Sequence, residues 1–282
     1  MARVPSADHG RGGYGFFGGP GAGQTASSEQ IVETLKVKRD SELVGLTTVT
    51  LNRPDKLNAI NARMHEELQS VCAQLQSDTQ SRVVVFTGAG RAFSAGADLH
   101  ASPPFDGAVD DPLAMRHLVG TGNRTSAAIE QLDQVTIAAV NGLTVGGAVA
   151  FLSSMDLRLA AASAWFSIPE IDLKIPLTWN ALPRLMRELG PARTRQLVMT
   201  GDRFSTEDAL RWGFLNQVTA DDALLPTVRS LAAKLLAKDP LSLALTKSTT
   251  RALADMMVPG EGTHGDREYL MLAAILGAKK KS

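Results

Sequence analysis

From Gln134 to Met155 the chain carries no charged side chain, and "VNGLTVGGAVAFLSS", residues 140–154, fills the second half of that run. Such a stretch is a membrane helix, a buried helix, or the floor of an active site. A spanning helix needs about 20 mostly apolar residues, and Gly142 and Gly146, four apart, match a spacing by which helices pack in bilayers. Against a span, Asn141-Gly142 is a strong turn signal. The β-branched "VTIAAV" at 135–140 reads as a strand buried on both faces. The run breaks into strand, tight turn and helix, and no membrane association is expected.

The same reading extends along the chain. Alternating apolar residues from Ile31 to Val37 and from Val44 to Leu51 predict two strands joined by a hairpin turn at "RDSE". Asn61 is placed to cap a helix whose apolar stripe is Met64, Leu68, Val71 and Leu75. "RVVVFTG", 82–88, is a second strand of the doubly buried kind. A helical stretch around Ala114 to Leu132 separates it from "VTIAAV". Beyond residue 218 the pattern is helical: Leu225, Val228, Leu231 and Leu235 form one stripe, and Asp239-Pro240 starts a helix through Met257. The expected class is α/β, one folded unit without an internal linker.

Composition narrows the function. Lys+Arg and Asp+Glu are both 29, so the net charge is zero. Proteins that grip phosphate backbones carry a basic excess, and nucleic acid is not an expected partner. The one cysteine, Cys72, cannot close an intramolecular disulfide, lies on the buried side of a helix, and fits a reducing, cytoplasmic setting. No metal-ligand cluster stands out. The glycine-dense residues 1–29 lack apolar periodicity and the apolar core of a signal peptide, so they are expected to be disordered. Their "GGPGAG" lacks the Gly-Lys-Ser/Thr ending of a phosphate loop.

Two segments share one design: buried strand, small-residue turn, helix start. They are "VVVFTGAGRAFSAGADL", 83–99, and "VTIAAVNGLTVGGAV", 135–149. Small residues let a ligand approach the main chain, and the first N–H groups of a helix have no internal partner. Two such groups aimed at one point would hold a developing oxyanion. Equally, the glycines could serve only the turns.

"LNRPDKLNAI" (51–60), "GRAFSAGADL" (90–99), "AAVNGLTVGGA" (138–148), "PEIDLKIP" (169–176) and "TGDRFSTEDALRWGFLNQV" (200–218) resemble, in order and spacing, the successive signatures of the crotonase, or enoyl-CoA hydratase/isomerase, family. The resemblance implies a crotonase-like spiral of repeated ββα units over residues 30–218 and a helical oligomerisation region over 219–282, assembled as trimers or dimers of trimers. It implies acyl-CoA thioester substrates, with coenzyme A entering only as part of the substrate and no separate cofactor. The thioester oxygen would lie between the N–H groups of Ala97 and Gly147. Lys56, Leu57, Ala95, Ala97, Asp98, Leu99 and His100 would line the coenzyme A side. Thr144, Gly146, Gly147 and Trp179 would complete the substrate site.

The chain also departs from the family pattern. Hydratases of this family usually carry two glutamates that position and activate a water. The first position falls on Ala150, which can move no proton. The second falls on Glu170 and is present. One carboxylate beside an oxyanion hole suits Δ3,Δ2-enoyl-CoA isomerisation. A hydratase working with one glutamate, and a catalytically weak acyl-CoA-binding protein, are the alternatives. Asp98 is expected to hold its loop, Thr144 to make a turn bond, and His117 to be a surface residue. Trp179 and Asn180 stand where many hydratases have small residues, which should reshape the acyl pocket. The ending "EYLMLAAILGAKKKS" is atypical, and Lys279–Lys281 reads as a solvated tail.

Overall fold

A computed structural model describes residues 29–101 and 111–259. The expectation of disorder over 1–29 lies, apart from Glu29, outside the described residues, as does the Lys279–Lys281 tail. Among the described residues no helix is long and apolar enough to cross a membrane.

Three short strands come first: β1 (Glu29–Ile31), β2 (Leu35–Arg39) and β3 (Leu46–Leu51). The expected hairpin is β2 against β3, with Val37 opposite Val49. Asp40 shapes its turn, Oδ1 accepting from the N–H groups of Glu42 and Leu43 at 2.9 and 2.7 Å. Val44 is not in the strand but stands 74% exposed in that turn. The strand expected from Ile31 to Val37 is broken. The N–H of Val32 donates to Leu35, and the N–H and hydroxyl of Thr34 are taken by the buried Glu67 carboxylate, so β1 folds back antiparallel on β2.

Helix α1 (Ala62–Ser77) is capped as expected, the Asn61 side chain accepting from Met64 N at 2.9 Å. Met64, Leu68, Val71 and Leu75 are all buried. Cys72 lies among them, and burial pushes its thiol up to about 12. Then come β4 (Val83–Gly88), β5 (Ala92–Ser94), α2 (Pro112–Val119) and α3 (Thr121–Glu130). The single helical stretch expected there is two helices meeting at Gly120. Next are β6 (Val135–Val140), β7 (Leu143–Val145), α4 (Gly147–Leu152), β8 (Leu157–Ala161), β9 (Trp165–Ser167) and α5 (Ala181–Thr200). The described chain ends with β10 (Phe204–Ser205), α6 (Thr206–Arg211), β11 (Gln217–Thr219), α7 (Leu224–Leu236) and α8 (Pro240–Met257).

The strands form two sheets, ordered β1-β2-β3-β4-β6-β8-β11 and β10-β9-β7-β5. Each central unit gives one strand to each sheet and then helical chain. β4, β6 and β8 run parallel in the larger sheet, and β5, β7 and β9 run parallel in the smaller. This is a spiral of ββα units. The centre of the larger sheet is buried on both faces, which is why β4 and β6 read as unbroken apolar runs. Val84, Phe86, Ala138, Val140 and Ala160 face the main core with α1 and α4. Val83, Val85, Ile137, Ala139, Leu159 and Ala161 face a second core under α7. From α7, Leu224, Val228 and Ala232 are buried in it and Leu231 and Leu235 pack against it, so of the predicted stripe only Leu225, 58% exposed, points away.

Candidate active site

The parallel pairing of β5, β7 and β9 sets the site. Ser94 lies opposite Thr144, Thr144 opposite Phe166, and Val145 opposite Ser167. Their chain exits, 95–97, 146–147 and 168–170, therefore leave the same edge of the smaller sheet side by side. Two close approaches confirm the meeting. A Cβ built on Gly96 would lie 2.4 Å from the carbonyl oxygen of Val145 and 3.5 Å from Gly147 N. A Cβ built on Gly146 would lie 2.6 Å from Glu170 Oε1. The turn of Ala97, the turn of Gly147 and the Glu170 carboxyl thus form one cluster.

Among the described residues, neither expected donor's N–H has a backbone partner. Gly147 is the first residue of α4, so its N–H has no partner within the helix. Ala97 bridges Ile60, but the flanking residues make the bonds: Ile60 N donates to Gly96 and Asp98 N donates to Ile60.

Glu170 sits in a single 3-10 turn, Pro169–Ile171. Burial pushes its carboxyl up to about 7, and Oε2 is buried without a hydrogen-bond partner among the described residues. An unpaired, desolvated carboxyl titrating near neutrality is how a general base is tuned. At position 150 the alanine is fully buried in the main core.

Asp98 does hold its loop. Arg53 Nη1 pairs with Asp98 Oδ2 at 2.7 Å, and Asp98 Oδ1 accepts from His100 N and Ala101 N at 3.2 and 3.1 Å. Ala95 N donates to Leu57 O at 2.9 Å, which ties the first turn to the Lys56–Leu57 segment. Lys56, Leu99 and His100 are exposed beside that turn. Thr144 is fully buried and its hydroxyl donates to Gly142 O at 3.3 Å. It shapes the turn and has no surface for substrate, which corrects its inclusion among the substrate-site residues. His117 is exposed, with Arg124 Nη2 3.3 Å from its Nε2. A separate cavity of about 210 Å³, lined by Gln76, Arg82, Gln134, Leu235 and Leu243 among others, contains none of these residues.

Trp179 lies flat against the second turn. A Cβ on Gly147 would meet its six-membered ring at 2.2 Å, and one on Gly122 of α3 would meet its five-membered ring at 2.1 Å. The indole stacks on Phe151 at a centroid distance of 5.1 Å and meets the edge of His65 at 4.8 Å. His65 and Gly122 escaped the sequence reading. A histidine one turn into an amphipathic helix carries no local signal. A glycine inside α3 does carry one, since it weakens a helix relative to alanine. Burial lowers the His65 imidazole to about 4, so it is neutral.

The chain matches the family model described as "Enoyl-CoA hydratase/isomerase" over residues 42–271. It is 36% identical over 227 residues to carnitinyl-CoA dehydratase of Escherichia coli K12, covering 80% of this chain and 83% of that one. It is 32% identical over 203 residues to short-chain-enoyl-CoA hydratase of Clostridium acetobutylicum, covering 72% and 76%. Among solved structures it resembles an enoyl-CoA hydratase from Bacillus anthracis, with TM-score 0.72, 29% identity, and coverage of 88% and 93%. It also resembles a monofunctional enoyl-CoA isomerase from M. smegmatis, with TM-score 0.66, 27% identity, and coverage of 79% and 95%.

Proposed function

The chain belongs to the enoyl-CoA hydratase/isomerase family, and within it we propose that this enzyme catalyses Δ3,Δ2-enoyl-CoA isomerisation with Glu170 as its one base. The family acts on acyl-CoA thioesters. The observation that carries the finer reading is the solitary carboxyl. Glu170 has an unpaired oxygen and a raised pKa beside the Gly146–Gly147 turn, while the position of the hydratases' first glutamate holds the buried Ala150.

In this reading Glu170 takes a proton from C2 of a 3-enoyl thioester. The electron pair delocalises into a dienolate whose charge rests on the thioester oxygen. Ala97 N–H and Gly147 N–H donate to that oxygen, and one such donor is typically worth about 10²–10³ in rate. The same carboxyl, now protonated, returns the proton to C4, and the double bond ends between C2 and C3. One proton moves and no electrons leave the substrate, so the reaction calls for no separate cofactor. Gly146 serves as the seat for Glu170. Lys56, Leu57, Ala95, Asp98, Leu99 and His100 form the coenzyme A side.

Hydration of 2-enoyl-CoA is the second reading, favoured by the hydratase and dehydratase names of the relatives above. To test between them, the protein is given 3-enoyl-CoA and 2-enoyl-CoA series. Chromatography resolves the positional isomers, and mass reveals any added water. Rapid 3-to-2 conversion with slow hydration supports the isomerase. Fast hydration without isomerisation refutes it.

The reading extends to assembly and location. Leu241, Leu245, Leu253, Met256 and Met257 stand exposed on α8, which buries none of its residues. We assign that surface to a homotrimer or dimer of trimers, in the cytoplasm.

A further inference from the structure

We propose that the Trp179 indole is the end wall of the acyl pocket and restricts this enzyme to short acyl chains. The proposal deepens the function above and rests on one part of it, the seating of the thioester at Gly147. The coenzyme A side of that point is the first turn, where Ala95 N donates to Leu57 O and Arg53 pairs with Asp98. The acyl group leaves on the other side, toward α3 and α4. There the ring faces lie where Cβ atoms on Gly147 and Gly122 would be, at 2.2 and 2.1 Å. The indole therefore spans from the donor turn to the neighbouring helix and fills the gap between them.

The wall is held in place from three sides. Phe151, one turn along α4 from Gly147, stacks on the indole with the ring planes 27° apart. His65 meets it at 78° and is itself anchored, Nδ1 lying 2.9 Å from Thr125 Oγ1. The backbone is fixed in an uncommon shape: Trp179 and Asn180 have φ of +60° and +57°. Two successive non-glycine residues persist in the left-handed region only where their surroundings hold them. Here Arg184, itself buried, donates from Nη1 to Asn180 O at 2.8 Å and pairs through Nη2 with Glu130 of α3. An indole pinned in this way is a fixed stop.

The test is calorimetric binding of saturated acyl-CoA thioesters, acetyl through dodecanoyl, to the wild type and to Trp179→Gly. Glycine suits the positive φ and removes the ring. Saturated thioesters need no proton transfer, so the result is independent of whether the enzyme isomerises or hydrates. A protein that fails to isomerise but shows the cut-off sinks the reaction assignment and leaves the wall standing. Wild-type affinity should stop rising by about hexanoyl, whereas Trp179→Gly should gain roughly fourfold for each further methylene it buries. Should Trp179→Gly melt below the assay temperature, Trp179→Phe and Gly122→Ala replace it. The first shortens the wall, and the second forces a methyl against the ring. Wild-type affinity that climbs steadily through dodecanoyl, or a cut-off unmoved in every folded variant, overturns the proposal.

Discussion

The Glu170 carboxyl occupies the space that a side chain on Gly146 would need. A Cβ there would lie 2.6 Å from Oε1 and 3.3 Å from the carboxyl carbon. Gly146 also has φ +55° and ψ −125°, a conformation open to glycine and closed to L-residues. Its N–H is fixed to Ser167 O at 2.9 Å, so the turn cannot slide away.

Gly146→Ala should therefore disable the enzyme without unfolding it. The methyl displaces the carboxyl or twists the turn that aims Gly147 N–H, and a misplaced group costs about 10²-fold. Circular dichroism and steady-state kinetics on 3-enoyl-CoA check this. A folded Gly146→Ala enzyme with wild-type kcat/KM would show that Glu170 has no part in the reaction.

Glu170→Gln should lower isomerase kcat by at least about 10²-fold while saturated acyl-CoA affinity changes little. The amide keeps the size of the carboxyl and loses the proton transfer. Comparable losses in kcat and in affinity would mark Glu170 as a binding or structural group.

The same carboxyl should set the pH profile. Burial raises it to about 7, and the base works ionised, so kcat/KM should climb as pH rises through about 7 and level off above. Stability runs the other way. A group whose folded pKa is raised stabilises the fold fully below its unfolded value of 4.5, and that contribution is lost as pH rises through about 7. At pH 8 the ionised, unpaired Glu170 costs on the order of 3 kcal/mol. Glu170→Gln should therefore melt higher than wild type at pH 8, by roughly 2–4 °C per kcal/mol for a chain of this size, and at about the same temperature at pH 4.5. Thermal melts at the two pH values decide it. A Gln variant less stable at both shows that the carboxyl holds the fold together.

Much of this was legible in the sequence because local chemistry and tertiary demand agree. Strands β4 and β6 are buried on both faces, so their apolar runs announced them. Asn61 and Asp239 cap the helices they precede. Where long-range contacts decide, the sequence was silent. Glu67 captures Thr34 from 33 residues away and breaks the first strand. Arg184 pins the Trp179–Asn180 turn from within α5. The site was read as two turns and one carboxylate. That Gly146 faces Glu170, and that Gly122 and Gly147 share one indole, depends on the pairing of β5, β7 and β9 and the packing of α3 against α4, which no local pattern encodes.

Position 150 offers the sharpest test of why this site holds one carboxylate. Gly147, Ala150 and Phe151 lie within one turn of α4, and residues three and four apart share a helix face. Trp179 covers that face at Gly147 and Phe151, and Ala150 is fully buried. A glutamate placed there alone would be forced into the apolar core. Ala150→Glu should lose several kcal/mol of stability, as an unpaired buried charge does, and gain little hydratase activity. Trp179→Gly clears the space beside α4. In the double variant the new carboxylate could reach the pocket and share a water with Glu170. Hydration of 2-enoyl-CoA should then rise at least about tenfold over either single variant, and thermal stability should recover relative to Ala150→Glu. Independent, additive effects on melting would mean that the indole and residue 150 do not compete for the same space.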